Sequence, residues 1–366
     1  HPKWLEELKE KLEEAEEGLY TLKNQNFGTR FLLTVEIAVI YSRGGKVRRI
    51  HHLVFAPSFA AVDKINKKLA KIGNLAADGR PILGLDSKEL LKIVKDAHEQ
   101  AVLVPAHAWT PWFSVFGSMS GFDSLEECFE ELTPEIFAIE TGLSSDPAMN
   151  WRVPALANIT LISNSDSHSL RKIGREANVF DCELSYKSIM DAIKSRNPKQ
   201  FLCTVEFFPE EGKYHYDGHR DLHHCQSPKE TKKANGRCAQ CGAKITIGVL
   251  SRVEELARGR HPTFNVGATL NVGCDSGTSQ RIPYKSLVPL EEIIANVYGI
   301  GAASKRVQIA YEAAIERFGS EFTILLDTPH RALVGYSPEL AEGIACMRAG
   351  KVTITPGYDG EYGNVT

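Results

Sequence analysis

The sequence predicts an α/β fold, because short apolar runs alternate with amphipathic helical patterns from residue 31 to about residue 207. Residues 31–40 and 47–56 have the composition of strands, and Gly44 and Gly45 between them favour a hairpin turn. Alternation of strands and helices implies parallel pairing, as in an α/β barrel or an open sheet. A polar segment rich in histidine and cysteine, residues 213–242, then marks a change of structure.

The remaining elements follow from the same patterns. Asp86 with Glu89 is a capping-box-like start for a helix that ends near residue 99. Further apolar runs predict core strands at residues 102–105, 136–140, 159–164 and 201–205. Helical periodicity returns at residues 251–258, 290–297 and 304–317, and a last strand is predicted at residues 351–355. Residues 263–280 are rich in Gly, Asn, Thr and Ser and predict a flexible loop.

A chain of 366 residues is longer than one ordinary compact domain, so the sequence predicts several units. We place them at residues 1–210 for the α/β unit, 211–262 for a zinc-binding module and 263–366 for a small α+β region. The net charge of −3 is unlike that of a strongly cationic chromatin-type binder, and it is compatible with a local basic groove.

The spacing of the cysteines and the hydropathy of the sequence indicate the cellular compartment. Of the eight cysteines, only Cys238 and Cys241 form a close CxxC pair, whereas a secreted disulfide framework is denser. No apolar run reaches the roughly 18 residues of a membrane span, and the N-terminal residues lack the pattern of a signal peptide. We therefore expect a cytoplasmic protein with no membrane partner, in which a few thiols bind metal.

The sharpest chemical motif is Asp166-x-His168, which directly follows a predicted strand. In α/β barrels the C-terminal ends of the strands hold the active site, and a carboxylate and an imidazole two residues apart can reach one metal cluster. The alternative is an ordinary loop in which Asp166 only caps the next turn.

Other predicted strands supply more candidate ligands. His107 follows one strand, Glu36 lies within a second, and His51 and His52 lie within a third. Adjacent residues of a strand face opposite sides, so only one of these two histidines points at a shared site. Glu140 is a candidate ligand, a partner of a ligand or a member of an ordinary ion pair. Carboxylates mixed with imidazoles suit zinc, manganese or iron, and their natural chemistry is metal-activated water attacking phosphorus.

A second group of residues predicts a structural zinc site. Cys238 and Cys241 have the spacing of a zinc-knuckle turn. Four ligands are completed by Cys225 and one histidine, for which the candidates are His219 and His223. The alternative is a module that binds no metal.

Two further sets of side chains are candidates for substrate binding. An aromatic segment after His107 suggests a surface on which a base stacks, formed by Trp109, Trp112, Phe113 and Phe116. An apolar lid that packs on the fold is the alternative. Phosphate oxygens are expected to contact the cations that follow Asp166, namely Lys172, Arg175 and Arg171.

These motifs together resemble one family, the endonuclease Q proteins of archaea and some bacteria. The resemblance covers nearly the whole chain. It rests on His107 with TPWFSVFGSMSGFDSLEECF after it, and on IETGLSSDPAMNWR, LISNSDSHSLRKIGREA, EEGKYHYDGHR, RCAQCGAKITIGVLSRVEELA and GKVTITPGYDGEYG. The resemblance implies a PHP-type distorted (β/α)7 barrel in residues 1–210, followed by the zinc-binding insert and the C-terminal region.

The resemblance also implies the chemistry. Family members cut DNA on the 5′ side of deaminated bases such as uracil, hypoxanthine and xanthine, and at abasic sites. The positions matching PHP metal ligands are Glu36, His51, His107, Asp166 and His168. The zinc insert corresponds to Cys225, Cys238 and Cys241 with His219. We expect structural Zn²⁺ in the insert, and Zn²⁺, Mn²⁺ or Mg²⁺ in the barrel cluster.

One departure from the family pattern concerns the N-terminus. PHP proteins begin with a strand that carries His-x-His, and no HxH occurs in this sequence, which starts at His1. The sequence therefore predicts either a natural chain that begins earlier or an incomplete metal cluster.

Three functions compete on this basis. The first is a DNA repair endonuclease whose partner is DNA with deaminated bases or abasic sites, with replication or repair factors as further partners. The second is a PHP-type phosphoesterase of small molecules, similar to histidinol phosphatase. The third is a DNA-binding protein with impaired catalysis, which the missing HxH would favour.

Overall fold

The computed structural model describes residues 2–25, 28–77, 80–257 and 281–366. The chain begins with helix α1 (Pro2–Lys11) and a small antiparallel pair of strands, β1 (Leu12–Glu16) and β2 (Leu19–Leu22). No helix among these residues is long and apolar enough to cross a membrane.

The first large sheet has four strands in the order β5-β3-β4-β6. Its centre is the antiparallel hairpin of β3 (Leu33–Arg43) and β4 (Lys46–Ala56), whose turn is Gly44-Gly45 as predicted. Both glycines have positive φ, which a tight two-residue turn requires. Strand β5 (Ile82–Leu83) is parallel to β3, and β6 (Val102–Pro105) is antiparallel to β4.

Two helices cover this sheet, and polar side chains begin each of them. Helix α2 (Phe59–Leu69) starts at Ser58, whose hydroxyl accepts a hydrogen bond from the Ala61 amide. Helix α3 (Ser87–Ala97) starts at Asp86, the predicted N-cap, whose carboxylate accepts from the Lys88 amide.

The middle of the chain alternates short strands and helices, as the sequence predicts. The elements are α4 (Leu125–Phe129), β7 (Ala138–Glu140), α5 (Pro147–Asn150), β8 (Thr160–Ile162), β9 (Ala177–Phe180), α6 (Tyr186–Ser195) and β10 (Phe201–Phe207). Strands β7 and β8 are parallel, whereas β9 and β10 are antiparallel. Strand β13 (Tyr284–Leu287) adds to β10 in parallel and so joins the C-terminal region to this part of the fold.

The polar segment has little regular structure. It contains the pair β11 (Asp217–His219) and β12 (His224–Gln226) and then α7 (Pro228–Lys233), and α8 (Val249–Leu256) follows it. The C-terminal region holds α9 (Leu290–Tyr298), α10 (Lys305–Phe318), a π-helical turn (Thr323–Asp327), α11 (His330–Val334), α12 (Pro338–Arg348), β14 (Ile354–Thr355) and β15 (Asn364–Val365).

Buried apolar side chains form two main cores. The first joins β3, β4, α2 and α3 to the residues around Trp109, and α8 adds Val249 and Val253 to it. The second lies between α9, α10 and α12, and β10 contributes Val205. Because α8 and β10 each pack into a core built mainly by other segments, neighbouring segments hold each other in place.

The fold is mixed α/β, which confirms the predicted class. The predicted closed barrel is not observed, since the strands of the described residues are distributed over several small sheets. The antiparallel hairpin β3–β4 occupies the centre of the largest sheet, and this pairing differs from the all-parallel order of a (β/α) barrel. The predicted loop 263–280 lies outside the described residues.

Candidate metal centre

Strand register places Glu36 and His51 on one face of the first sheet. His51 is opposite Ala38, which is two residues from Glu36 and therefore faces the same side. His52 is opposite Ile37 and faces the other side, where its Nε2 lies 2.9 Å from Ser87 Oγ. The choice between the two histidines, left open by the sequence, therefore falls on His51.

His107 reaches the same point from the turn that follows β6. Its φ of +29° is unusual for a residue with a side chain, and the amide of the preceding Ala106 donates to the His51 carbonyl at 3.0 Å. Gly142 packs against the turn so closely that a Cβ there would lie 2.7 Å from His107 Cβ. A residue without a side chain is needed at 142 to leave the imidazole in its position.

Three potential ligand atoms converge at this point. Glu36 Oε1 lies 2.9 Å from His51 Nδ1 and 3.4 Å from His107 Nε2, and the two nitrogens are 3.0 Å apart. Despite these distances, Glu36 Oε1 is buried and has no hydrogen bond of good geometry among the described residues. A carboxylate oxygen with a free lone pair between two imidazoles is an arrangement that a divalent ion satisfies. We call these three residues the metal triad.

Hydrogen bonds orient the His107 ring toward the other two residues. The Ser114 hydroxyl donates to the His107 carbonyl and the Thr110 hydroxyl donates to the Trp112 carbonyl, so both oxygens are left to accept. His107 Nδ1 lies 3.0 Å from Ser114 Oγ and 3.2 Å from Thr110 Oγ1, so it carries the proton. The lone pair of the ring is therefore on Nε2, which faces Glu36. Such an outer hydrogen bond is a regular feature of metal-binding histidines.

The electrostatics of the triad follow from burial and close charges. Burial raises the pKa of Glu36, but His107, His51 and Arg80 outweigh it and hold the pKa well below its usual range. Burial lowers the pKa of His51 and exceeds the opposing effect of Glu36. Burial likewise acts to lower the pKa of His107, but Glu36 and Glu140 outweigh it and the pKa is raised. Glu36 is therefore an anion at neutral pH, as a metal ligand must be.

Arg80 completes the triad's surroundings, and the sequence patterns gave no sign of it. Its guanidinium donates to Glu36 Oε2 at 3.1 Å and to His51 Nε2 at 3.0 Å. The residue is brought here by the pairing of β5 with β3, in which Ile82 lies opposite Ala38. With Nε2 accepting from Arg80, a neutral His51 carries its proton on Nδ1, and this proton must leave when a metal binds there.

Glu140 lies behind the triad as a partner of His107. Its Oε2 accepts from the His107 amide at 2.7 Å, and its Oε1 accepts from the Asn164 side chain at 2.8 Å. Glu140 is buried, which raises the pKa of its carboxyl. Through Asn164 it ties the His107 turn to the loop that carries Asp166.

The Asp166-x-His168 motif lies beside the triad and is not part of the compact group. Asp166 has φ of +43° and is close enough to His107 to help raise the pKa of that imidazole. The His168 side chain is 78% exposed, and its Nδ1 lies 2.9 Å from the Asp166 carbonyl oxygen. The structure thus brings together Glu36, His51 and His107, with Asp166 nearby and His168 turned to solvent.

The aromatic segment divides into core and surface residues. Trp109 and Phe116 are fully buried, their rings are 4.8 Å apart, and Trp109 Nε1 donates to Asn150 at 2.7 Å. They are core residues, so they offer no face to a base. Phe113 and Trp112 are only half-buried, and the Phe113 ring lies 4.6 Å from the His51 ring. These two remain candidates for stacking.

The predicted phosphate-binding cations lie just beyond Asp166. Arg175 Nε donates to the Ser165 carbonyl at 3.0 Å and so braces the loop. Lys172 Nζ lies 2.8 Å from Glu291 Oε1, and Arg171 lies 3.0 Å from the other oxygen of the same carboxylate. Both cations are thus engaged by the first turn of α9.

A second group of potential ligands lies in the polar segment. His219, Cys238 and Cys241 place one ligand atom each within 4.8 Å of one another, and His219 Nδ1 is 3.5 Å from Cys241 Sγ. Burial acts to raise the pKa of the Cys238 thiol, but the backbone amides of Cys241 and Gln240 and the His219 ring outweigh it and lower the pKa to about 6. Cys225 is not in this group, although it lies opposite Gly218 in the adjacent pair of strands. Three of the four predicted zinc ligands therefore lie together as a compact set.

Comparison with known proteins gives matches along the whole chain. A family model described as the MJ0043 C-terminal domain matches residues 289–351. The uncharacterized protein MJ0043 of Methanocaldococcus jannaschii is 34% identical over 270 residues, which are 71% of this chain and 31% of that protein. The chain thus spans about a third of the length of that relative. The uncharacterized protein YqxK of Bacillus subtilis is 28% identical over 86% of this chain and 73% of its own length.

Two solved structures are similar over the full chain. One is the lesion-specific endonuclease PfuEndoQ of Pyrococcus furiosus, at a TM-score of 0.82 and 29% identity, with 84% of that chain covered. The other is endonuclease Q in complex with a 27-mer duplex substrate that has an abasic lesion at the active site, at a TM-score of 0.82, 28% identity and 85% coverage. Because the match extends over all of this chain, the protein belongs to an endonuclease Q-like family.

Proposed function

We propose that this protein is a metal-dependent endonuclease that hydrolyses a phosphodiester bond of DNA beside an abasic site or a deaminated base. The convergence of Glu36, His51 and His107 within 3.4 Å carries the proposal. A divalent ion bound there supplies an activated water and neutralises charge on the phosphate. Similarity to an endonuclease with an abasic lesion at its active site supports DNA as the substrate.

The roles of individual residues follow from their positions. Glu36, His51 and His107 would hold the ion, which we expect to be Zn²⁺, Mn²⁺ or Mg²⁺. Asp166 would add a carboxylate from the neighbouring loop, and His168 would have to turn inward from solvent to join them. Glu140 keeps the His107 turn in place through its 2.7 Å hydrogen bond. Lys172 and Arg175 contact the DNA backbone. Catalytic groups supplied by several separate segments are typical of PHP-type phosphoesterases, and we propose that the α/β unit is of this type.

Recognition of the lesion requires an extrahelical nucleotide, since the altered edge of a deaminated base is hidden in the duplex. Uracil, hypoxanthine and xanthine share a carbonyl where an amine stood, so one hydrogen-bond donor in a pocket would accept all three. The Phe113 ring lies 4.6 Å from the His51 ring, and both Phe113 and the preceding Trp112 are half-buried, which suits stacking. We further propose units at residues 1–210, 211–262 and 263–366, the second with a structural Zn²⁺.

The direct test is cleavage of a labelled duplex that contains uracil, hypoxanthine or an abasic site, in Mn²⁺ or Mg²⁺. We expect nicking of the damaged strand and none of the undamaged duplex. Asp166→Asn should abolish nicking while DNA binding is retained. The control is Asp96→Asn, because Asp96 is exposed on α3.

Three results would contradict the proposal. Equal cleavage of damaged and undamaged duplexes would refute lesion specificity, and full cleavage by Asp166→Asn would refute its role. Hydrolysis of a chromogenic phosphate monoester without cleavage of any duplex would favour a small-molecule phosphoesterase.

A further inference from the structure

The β3–β4 hairpin carries three cations that make no ion pair with any described residue. They are Lys46, Arg48 and Arg49, all at the start of β4. Arg48 is held against the fold, since one terminal nitrogen donates to the Gly121 carbonyl and the guanidinium lies 4.0 Å from the centre of the Phe122 ring, while its buried Nε has no hydrogen-bond partner among the described residues. Asp123 is close to this end of the hairpin, but its carboxylate is bound by Arg252. Lys46 and Arg49 therefore form no ion pair with a described carboxylate, although Lys46, after Arg252, is near enough to help lower the pKa of Asp123.

These two cations line an open groove together with apolar side chains. The groove has a volume of about 360 Å³ and is formed by Lys46, Val47, Arg49, Trp112, Met119 and Ser120. Val47 and Met119 are exposed to 51% and 47%, which is high for such side chains in a cleft. We call this the hairpin groove. Apolar side chains open to solvent beside two cations that form no ion pair suit a ligand that combines an apolar face with negative charge.

The walls of the groove are fixed in position by hydrogen bonds. Ser120 Oγ accepts from the Phe113 amide at 3.1 Å and donates to the Arg49 carbonyl at 3.1 Å, so one hydroxyl joins the aromatic segment to the hairpin. The Trp112 ring packs edge-to-face on Tyr214, with ring centres 5.5 Å apart. The indole is therefore held in place without a ligand, which reduces the entropy cost of stacking on it.

The hairpin groove also adjoins the metal triad. The Arg49 guanidinium lies 6.0 Å from the centre of the Phe113 ring, and that ring in turn lies 4.6 Å from the His51 ring. Phe113 is thus a ring that both the groove cation Arg49 and the triad histidine His51 approach. A strand whose phosphate is at the triad would have a neighbouring nucleotide near the groove, because Arg49 and His51 both lie beside the Phe113 ring.

We infer that the hairpin groove binds one unpaired nucleotide of the DNA strand next to the phosphate at the metal triad. The inference rests on the proposed function and extends it to a site outside the triad. The Trp112 indole stacks on the base, Met119 and Val47 form the apolar wall, and Lys46 and Arg49 contact the flanking phosphates. Stacking of this kind requires an exposed base face, so the groove selects single-stranded or extruded nucleotides over intact duplex and tolerates any base.

The test measures binding separately from cleavage. A fluorescein-labelled thymidine tetranucleotide is titrated in EDTA, so that metal-dependent hydrolysis does not contribute. We expect Trp112→Leu and Met119→Ser to weaken binding, the first by about 5- to 100-fold as for loss of one stacked base. Arg49→Gln should weaken binding and lower the slope of log affinity against log salt by about 0.7, the value for one phosphate contact on a single strand.

Two controls make the result specific. Lys67→Gln removes an exposed cation of α2 and should leave the affinity unchanged. A tetranucleotide analogue with abasic sugars in place of the bases should bind the wild type weakly and be indifferent to Met119→Ser, a change at an exposed side chain that preserves the fold. Equal binding of the tetranucleotide by the wild type, Met119→Ser and Arg49→Gln would overturn the inference.

The outcomes also separate this inference from the proposed function. If the protein nicks damaged duplex in Mn²⁺ but binds the tetranucleotide independently of Arg49 and Met119, the proposed function stands and the nucleotide site in the groove is refuted. If the protein binds the tetranucleotide through the groove but cleaves no duplex in any metal, the endonuclease proposal is refuted and the nucleotide-binding site stands.

Discussion

Lys172 Nζ lies 2.8 Å from Glu291 Oε1, and this contact joins the loop after Asp166 to the first turn of α9. Arg171 binds the other oxygen of the same carboxylate at 3.0 Å. One glutamate of the C-terminal region thus neutralises two cations that are candidates for phosphate contact. Under the proposed function, DNA at the triad would compete with Glu291 for these cations.

We therefore expect Glu291→Gln to strengthen DNA binding, because Arg171 becomes available to phosphates and Lys172 is left with only the longer 3.7 Å contact to Glu292. The gain should be several-fold at low salt and should shrink at high salt. The same change should lower the free energy of unfolding by no more than about 1 kcal/mol, as for a partly exposed ion pair. Fluorescence anisotropy and urea denaturation measure the two effects.

The control for that experiment is Glu312→Gln, which removes the same charge from an exposed position of α10 without an ion pair among the described residues. If both variants gain the same affinity, the effect is one of net charge and Glu291 has no special role.

Arg80 provides a second prediction, since its guanidinium donates to both Glu36 and His51. A cation at this position repels a metal ion and holds the His51 proton on the nitrogen that would bind it. Arg80→Met should therefore tighten Mn²⁺ binding about five-fold, equivalent to ~1 kcal/mol for one partly exposed charge. Isothermal titration calorimetry with Mn²⁺ provides the measurement.

Lys71→Met is the matched control, since Lys71 is exposed and makes no ion pair among the described residues. Unchanged or weaker Mn²⁺ binding by Arg80→Met would mean that the guanidinium supports the triad by fixing Glu36 and does not compete with the ion.

The proposed zinc module gives a prediction about individual ligands. Because His219, Cys238 and Cys241 form the compact group, Cys241→Ser should release the zinc that we expect at about one ion per chain. Cys225→Ser should retain it, since Cys225 is outside the group. Metal analysis after gel filtration gives the stoichiometry of each variant. Loss of zinc from both variants alike would establish Cys225 as a ligand and require a rearrangement of the β11–β12 pair.

The pH dependence of stability should report on the buried carboxyls of β10 and its neighbours. Glu206 accepts from Thr141 and Thr204, and burial, strengthened by Asp146, raises its pKa to about 8. An unfolded glutamate titrates near 4.5, so between these values the folded chain holds a proton that the unfolded chain has lost. The stability due to this proton is present at low pH and disappears as the pH rises through about 8.

We therefore expect the free energy of unfolding to fall between pH 5 and pH 8, measured by urea denaturation at each pH. Glu206→Gln keeps a neutral group of similar shape and should reduce this fall. A fall of the same size in the variant would assign the effect to other buried acids, such as Glu176.

The sequence was sufficient where local chemistry decides the structure. The glycine turn of the β3–β4 hairpin, the Asp86 helix start and the convergence of Glu36, His51 and His107 could all be anticipated from spacing, composition and the family resemblance. The position of Arg80 beside the triad could not be anticipated, because it depends on the pairing of β5 with β3, a distant part of the chain. Periodicity within a segment carries no information about such a pairing.

The aromatic segment illustrates a second limit. Composition does not distinguish a ring that stacks on a ligand from a ring that fills a core, since both environments favour tryptophan and phenylalanine. Only packing decides, and it places Trp109 in the core while Trp112 lines the hairpin groove. The barrel prediction had a similar weakness, because strand order and closure depend on contacts between remote segments.

Gly142 shows how a position without chemistry constrains a metal centre. A methyl group there would collide with the Cα and Cβ of His107, and its φ of +59° is one that side chains disfavour. Sequence drift at this glycine should accordingly be as restricted as at the histidine it touches. In a saturation-mutagenesis screen for cleavage, position 142 would be ranked among the active-site residues, although it donates no proton and binds no ion.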